Sequence, residues 1–185
     1  MKLPEPQIKT FSSLINEIEK GQIKIPQFQR DFVWTIKHSA ALIDSIIKGY
    51  PIGTFIMWKT KERLKSVRNI GGIDLPDSND GDFVDFVLDG QQRLTSLFAS
   101  LKGAYVIREA GKRENFSNIY INLLASDDET IVSADLDMPD ANHKIKLTEL
   151  LYGGLTLLVN YPQEHHKKLE EYKQRIESYQ FSSIQ

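Results

Sequence analysis

The chain has 185 residues, 41% of them hydrophobic and 26% charged, and its 23 basic and 25 acidic side chains give a formal net charge of −2. That length holds one ordinary domain, or one domain and part of another, and the charge balance lacks the basic excess common in nucleic-acid-binding domains. The absence of cysteine excludes disulfides, thiolate metal sites and a cysteine nucleophile, and no apolar run approaches the ~20 residues that cross a bilayer.

The start, Met1-Lys2-Leu3-Pro4-Glu5-Pro6, has no apolar signal-peptide core, so a cytoplasmic protein without a membrane partner is expected. Residues 1–10 read as an extended lead-in. Ser12 or Ser13 is placed to cap a short helix through Leu14, Ile15 and Ile18, ending at Gly21. Ile23-Lys24-Ile25 alternates as a strand and Pro26 stops it. Residues 26–34 mix Phe28, Phe32 and Trp34 with Gln29, Arg30 and Asp31, as a loop does when it packs rings and presents polar groups. Thr35 reads as an N-cap. The broad apolar stripe Ile36, Ala40, Ile43 and Ile47, widened by Leu42 and Ile46, predicts a well-buried helix to about Lys48, closed by Gly49 and Pro51.

Residues 53–60 predict a strand, followed by a basic run of Lys59, Lys61, Arg63, Lys65 and Arg68. Residues 71–82 are rich in Gly, Pro, Asn and Asp and read as a surface loop. Phe83 to Leu88 then suits a buried strand, and Leu94, Leu97, Phe98 and Leu101 fall at helical spacing. Beyond Gly103, strands are expected at 104–108 and 117–123 with Lys112 to Glu114 in a turn, and a third near 129–134. Residues 135–143 read as a loop. A short helix is expected at 147–152, capped by Thr148, and a closing helix from about 162 to 179 carries Lys167–Glu171 and Glu171–Arg175 at i,i+4. The chain stops soon after that helix, which suggests a piece of a longer protein.

Between the central strand and helix sits Asp89-Gly90-Gln91-Gln92-Arg93. A strand that enters a helix through glycine leaves backbone N–H groups unmet, and these favour anions. Arg93 adds a guanidinium fork suited to phosphate, and Gln91 and Gln92 add neutral donors and acceptors. Asp89 would repel phosphate unless a cation lies between them. It either caps the helix, or holds Mg²⁺ or orients a water. Arg30 either completes the cationic surface or stacks on Phe28 or Trp34.

Three segments carry a resemblance: Ile25-Pro26-Gln27-Phe28-Gln29-Arg30-Asp31-Phe32-Val33-Trp34, then Pro51 to Met57, then Leu88-Asp89-Gly90-Gln91-Gln92-Arg93-Leu94-Thr95. In that order and spacing, over residues 10–102, the chain resembles the GmrSD-type N-terminal domain, the DGQQR-motif family with a ParB/sulfiredoxin-like fold. The resemblance implies an α+β class, a ParB/sulfiredoxin-like core with a small mixed sheet and packed helices, to which the patterns beyond Gly103 add C-terminal strands and a terminal helix. It implies a nucleotide-binding domain over residues 10–125 and an extension over 126–185 that begins a helical region. It implies a module of a modification-dependent restriction or anti-phage system that binds and hydrolyses nucleoside triphosphate. Asp89 to Arg93 fill the phosphate-gripping box and Gln29 and Arg30 fill the first box. No HNH-type nuclease constellation occurs among His38, His143, His165 and His166.

The leading expectation is therefore a Mg²⁺-dependent nucleoside triphosphatase. Asp89, Gln92 and Arg93 are its expected catalytic groups, Gln29, Arg30, Gly90, Gln91, Gln92 and Arg93 hold phosphates, and Asp89 meets the metal. DNA is expected as a partner of the full-length protein. The alternative is a nucleotide-gated DNA or modified-DNA binding module without turnover, using Lys59, Lys61 and Arg63. Sulfiredoxin-like phosphoryl chemistry needs a thiol that the chain lacks.

Overall fold

The computed structural model describes residues 4–62, 64, 67, 68, 70, 73, 75–77, 81–107, 113–134 and 143–185. Its main sheet contains β1 (Pro6–Thr10), β2 (Ile23–Pro26), β3 (Phe55–Thr60), β4 (Val67–Arg68), β5 (Val84–Asp89) and β11 (Gln180–Ile184). Among the described residues their spatial order is β1-β11-β3-β5-β2-β4. β5 is central: it runs antiparallel to β3 and parallel to β2. β11 is parallel to β3 and antiparallel to β1, so the sheet is mixed.

Helices supply the hydrophobic cover. α1 (Phe11–Glu19) buries Leu14, Ile15 and Ile18. α2 (Ile36–Ile47) starts at Thr35 through a reciprocal capping box with His38, and Gly49 follows its end at φ +71°. It buries Ala40, Leu42, Ile43, Ile46 and Ile47. α3 (Gln91–Lys102) is the core helix: Leu94, Leu97, Phe98 and Leu101 are all but fully buried. Its polar side is buried too, and Ser96 donates to Ser39 Oγ on α2, which satisfies both hydroxyls where the helices touch.

The rest of the chain wraps this unit. β6 (Tyr105–Ile107) pairs with β7 (Arg113–Asn115), and β8 (Tyr120–Asn122) lies between β9 (Val132–Ser133) and β10 (Lys144–Lys146). α4 (Leu147–Tyr152) and α5 (Thr156–Asn160) lead to α6 (Gln163–Glu177), which buries Leu169, Tyr172 and Ile176. Asp44 on α2 accepts from the N–H groups of Ile131 (2.8 Å) and Val132 (2.9 Å), tying the smaller sheet to the helix.

The α+β class matches the expectation. Several local expectations are corrected. Thr10, rather than Ser12 or Ser13, caps α1: its Oγ1 accepts from the Ser13 N–H at 3.2 Å. Residues 6–10 are a strand because β11 lies alongside them. Arg113 and Glu114, expected in a turn, belong to the strand Arg113–Asn115 because Tyr105–Ile107 supplies its ladder. Lys146, not Thr148, precedes α4 as its cap residue. The closing helix is followed by β11, which lies between β1 and β3 in the main sheet. Glu171 and Arg175 pair at 2.6 Å as expected. The loop expected at 135–143 lies, up to 142, outside the described residues, as does part of 71–82.

Candidate functional site

The site forms where β5 turns into α3. Gly90 makes that turn at φ +90°, and a Cβ there would lie 2.6 Å from Cδ1 of Phe55, so both the dihedral and the close approach demand glycine. The first backbone bond of α3 runs from the Leu94 N–H to the Gly90 carbonyl at 2.9 Å. The N–H groups of Gln91, Gln92 and Arg93 are the unmet donors of the helix start. These three residues line a cleft of about 480 Å³ together with Arg30, Phe28 and Asp89.

The two glutamines are buried, and their amides build the cleft wall. Gln91 Nε2 donates to the Arg30 carbonyl at 2.8 Å, and Gln92 Nε2 donates to the Asp31 carbonyl at 2.8 Å. Gln92 Oε1 accepts from the N–H groups of Val33 (2.9 Å) and Trp34 (3.4 Å). Gln29 Nε2 donates to the Leu88 carbonyl at 2.9 Å. The 29–34 loop has no regular ladder of its own, and these amides stand in for one.

Arg93 does the same for the loop before β3. Its Nη1 donates to the Ile52 carbonyl (2.7 Å), and its Nη2 donates to the Thr54 carbonyl (3.1 Å) and to Asp89 Oδ2 (3.2 Å). The guanidinium carbon lies 5.3 Å from the Phe55 ring centroid. Gly53 sits between those carbonyls at φ +87°, where any Cβ would collide with the guanidinium.

The expected site residues are thus brought together, with a division of labour. Gln29, Gln91, Gln92 and Arg93 hold backbone. Arg30 is exposed at the cleft, and among the described residues its guanidinium has no hydrogen-bond or ion-pair partner. Asp89 ends β5 with its side chain 65% exposed. It does not cap α3: Gly90 occupies the cap position and no side-chain cap bond is made. Among the described residues no three His, Asp or Glu side chains are placed to share a metal ion. Lys59 and Lys61 do not line the cleft; they are exposed, with Nζ 5.9 and 4.9 Å from the Phe83 ring centroid. Arg63 lies outside the described residues. The carbonyls of Ile52 and Thr54 were not foreseen as partners. The Pro51-Ile52-Gly53-Thr54 segment was the signal that the site draws on a third loop.

The model of the family described as GmrSD restriction endonuclease, N-terminal domain, matches residues 11–184. The chain belongs to this family. The match includes the residues beyond 102, for which the sequence offered no motif. The chain is also 35% identical over 97 residues to the "Uncharacterized protein MJ0686" of Methanocaldococcus jannaschii. That stretch is 50% of this chain and 17% of the relative, so the chain matches a minor part of a much longer protein. Among the described residues, no helix of this GmrSD-type domain is long and apolar enough to cross a membrane.

Proposed function

We propose that this GmrSD-type domain is a nucleotide-dependent module of a restriction protein, binding nucleoside triphosphate over the start of α3 and hydrolysing it. The observation that carries this reading is the pairing of an uncommitted cation with a helix start: Arg30 and residues 91–93, the first turn of α3, line one cleft. The buried amides of Gln91 and Gln92 hold the Arg30 loop against that helix start without a ligand, which supports a preorganised anion site.

Among the described residues, Asp89 is the only carboxylate lining this cleft. Mg²⁺ is commonly held by one or two carboxylates plus substrate phosphates, and a mostly exposed Asp89 fits that arrangement. Bound there, the ion would offset charge on the phosphate oxygens. In hydrolysis, a water oxygen bonds the γ-phosphorus as the bridging P–O bond breaks, giving nucleoside diphosphate and inorganic phosphate. The chain's own contribution is positional and electrostatic: backbone N–H groups and Arg30 on the phosphates, Asp89 on the water or the ion.

Phosphate release from each nucleoside triphosphate with Mg²⁺ tests this reading. Wild type should turn over, Asp89→Ala should bind without turnover, and Arg30→Ala should bind weakly. Equal release by wild type and Asp89→Ala overturns the assignment.

A second reading, DNA contact by the whole protein, is favoured by Lys59 and Lys61 beside exposed Phe83. It expects DNA affinity that falls steeply with salt and a shallower slope in the double Lys59→Ala, Lys61→Ala variant.

A further inference from the structure

Beside this cleft lies a second, less polar recess. A groove of about 300 Å³ lies between the outer face of α2 and the loop at Pro51 and Ile52. Trp34 and Arg93 line both spaces, so the groove shares two residues with the cleft. On the α2 side the wall is His38, Ala41, Leu42 and Ser45, an i, i+3, i+4, i+7 set on one helical face. Leu42 is 7% exposed, whereas Ala41 is open to solvent.

The groove's polar groups are few and their roles are fixed. His38 Nδ1 accepts from the Thr35 N–H at 3.2 Å, so the ring proton sits on Nε2 and makes that nitrogen a donor. Ser45 Oγ donates to the Ala41 carbonyl at 3.0 Å, which leaves the hydroxyl oxygen as an acceptor. The Arg93 fork is occupied by the Ile52 and Thr54 carbonyls and Asp89. The groove therefore offers apolar walls, an indole, a histidine donor and a serine acceptor, beside a cleft lined by a cation and the first turn of α3.

We propose that this groove takes the nucleobase of the nucleotide whose phosphates occupy the cleft. The inference rests on the triphosphate reading given above and adds where the base goes. A free phosphate or polyphosphate would use the cleft alone. A flat heterocycle with a ring acceptor and a donor, tethered to phosphates, uses both spaces, and small-molecule sites combine apolar walls with a few fixed polar groups in this way. The Trp34 indole is the stacking surface, and the His38–Ser45 pair is the specificity element. Phe28, 72% exposed, lines the cleft but not the groove, so the proposal assigns it no base contact.

The test is calorimetric titration of the whole chain, in Mg²⁺ buffer, with inorganic tripolyphosphate and with ATP, GTP, CTP and UTP. The preferred nucleotide should bind at least about tenfold tighter than tripolyphosphate, the increment expected from one stacked base. Ala41→Trp, a change on an exposed helix position, should fill the groove and erase that increment while tripolyphosphate affinity stays at the wild-type value. Circular dichroism of the variant establishes that it is folded. If wild type binds tripolyphosphate and every nucleotide equally, or if folded Ala41→Trp keeps the full increment, the base lies elsewhere and the inference is overturned while the triphosphate reading stands. If wild type binds neither tripolyphosphate nor any nucleotide, both fall.

Discussion

Asp85 on β5 and Gln185, which follows β11, meet inside the protein with one hydrogen bond made and another missing. Gln185 Nε2 donates to Asp85 Oδ2 at 2.6 Å, while Asp85 Oδ1 and Gln185 Oε1 are both buried acceptors without a partner among the described residues. A proton on the carboxyl supplies the donor that this acid–amide pair lacks.

Burial pushes the Asp85 carboxyl above the ordinary value of 3.8, with Glu17 adding to the rise and Lys9 and Lys59 opposing it. The folded chain therefore binds the extra proton more tightly than the unfolded chain does. The stabilisation is complete below the unfolded value and is lost as pH rises through the folded one. Asp85→Asn places an amide donor at the same spot with no charge to desolvate. It should match wild type near pH 4 and exceed it by about 1 kcal/mol at higher pH, read from thermal melts across that range. Identical pH slopes for the two proteins would show that folding does not raise the Asp85 carboxyl.

Gly90→Ala combines a positive φ with a collision against Phe55. A loss of about 1–3 kcal/mol is expected from the dihedral alone, with the steric clash adding to it. The denaturant midpoint measures this, and a variant as stable as wild type would mean that the turn relaxes freely.

Gln92→Ala and Arg30→Ala should separate scaffold from ligand contact. Gln92 holds Asp31, Val33 and Trp34, so its loss should cost roughly 2 kcal/mol and raise amide exchange at 33 and 34. The Arg30 side chain holds nothing among the described residues, so Arg30→Ala should change stability by no more than about 0.5 kcal/mol while tripolyphosphate affinity drops. A binding loss in Gln92→Ala with unchanged exchange would instead make Gln92 a direct ligand.

Arg93→Lys tests the fork. A single ammonium cannot span the Ile52 and Thr54 carbonyls as the guanidinium does. The variant should lose about 1–3 kcal/mol and gain protease sensitivity at residues 51–54. Stability equal to wild type would reduce the requirement at this position to charge alone.

Elements with a strong local signal were legible in the sequence. The apolar stripe of α2 with its Thr35 cap, and the strand–glycine–helix turn at 84–102, stand where periodicity puts them. Gln180-Phe181-Ser182-Ser183-Ile184 gave no such signal. Two serines dilute the alternation, and the segment becomes a strand only between β1 and β3. Arg113-Glu114-Asn115 is polar throughout and takes its ladder from a partner that sequence spacing does not announce. At the site, the residue types were legible and their partners were not. A glutamine facing a phosphate and a glutamine facing a carbonyl 61 positions away look alike in one dimension.

The order of the main sheet also bears on how the chain acquires its fold. Among the described residues, the only strand beside β1 is β11, whose residues lie some 170 positions later. During synthesis β1 emerges before the other described strands of this sheet and β11 after them, so one margin of the sheet stays unzipped while those strands are already available to pack. Closing that margin is a long-range event that the local helices cannot accelerate. Until then the free sides of β1 and β3 are open to strands of other chains, and the interval before β11 docks is when this domain is most exposed to mispairing.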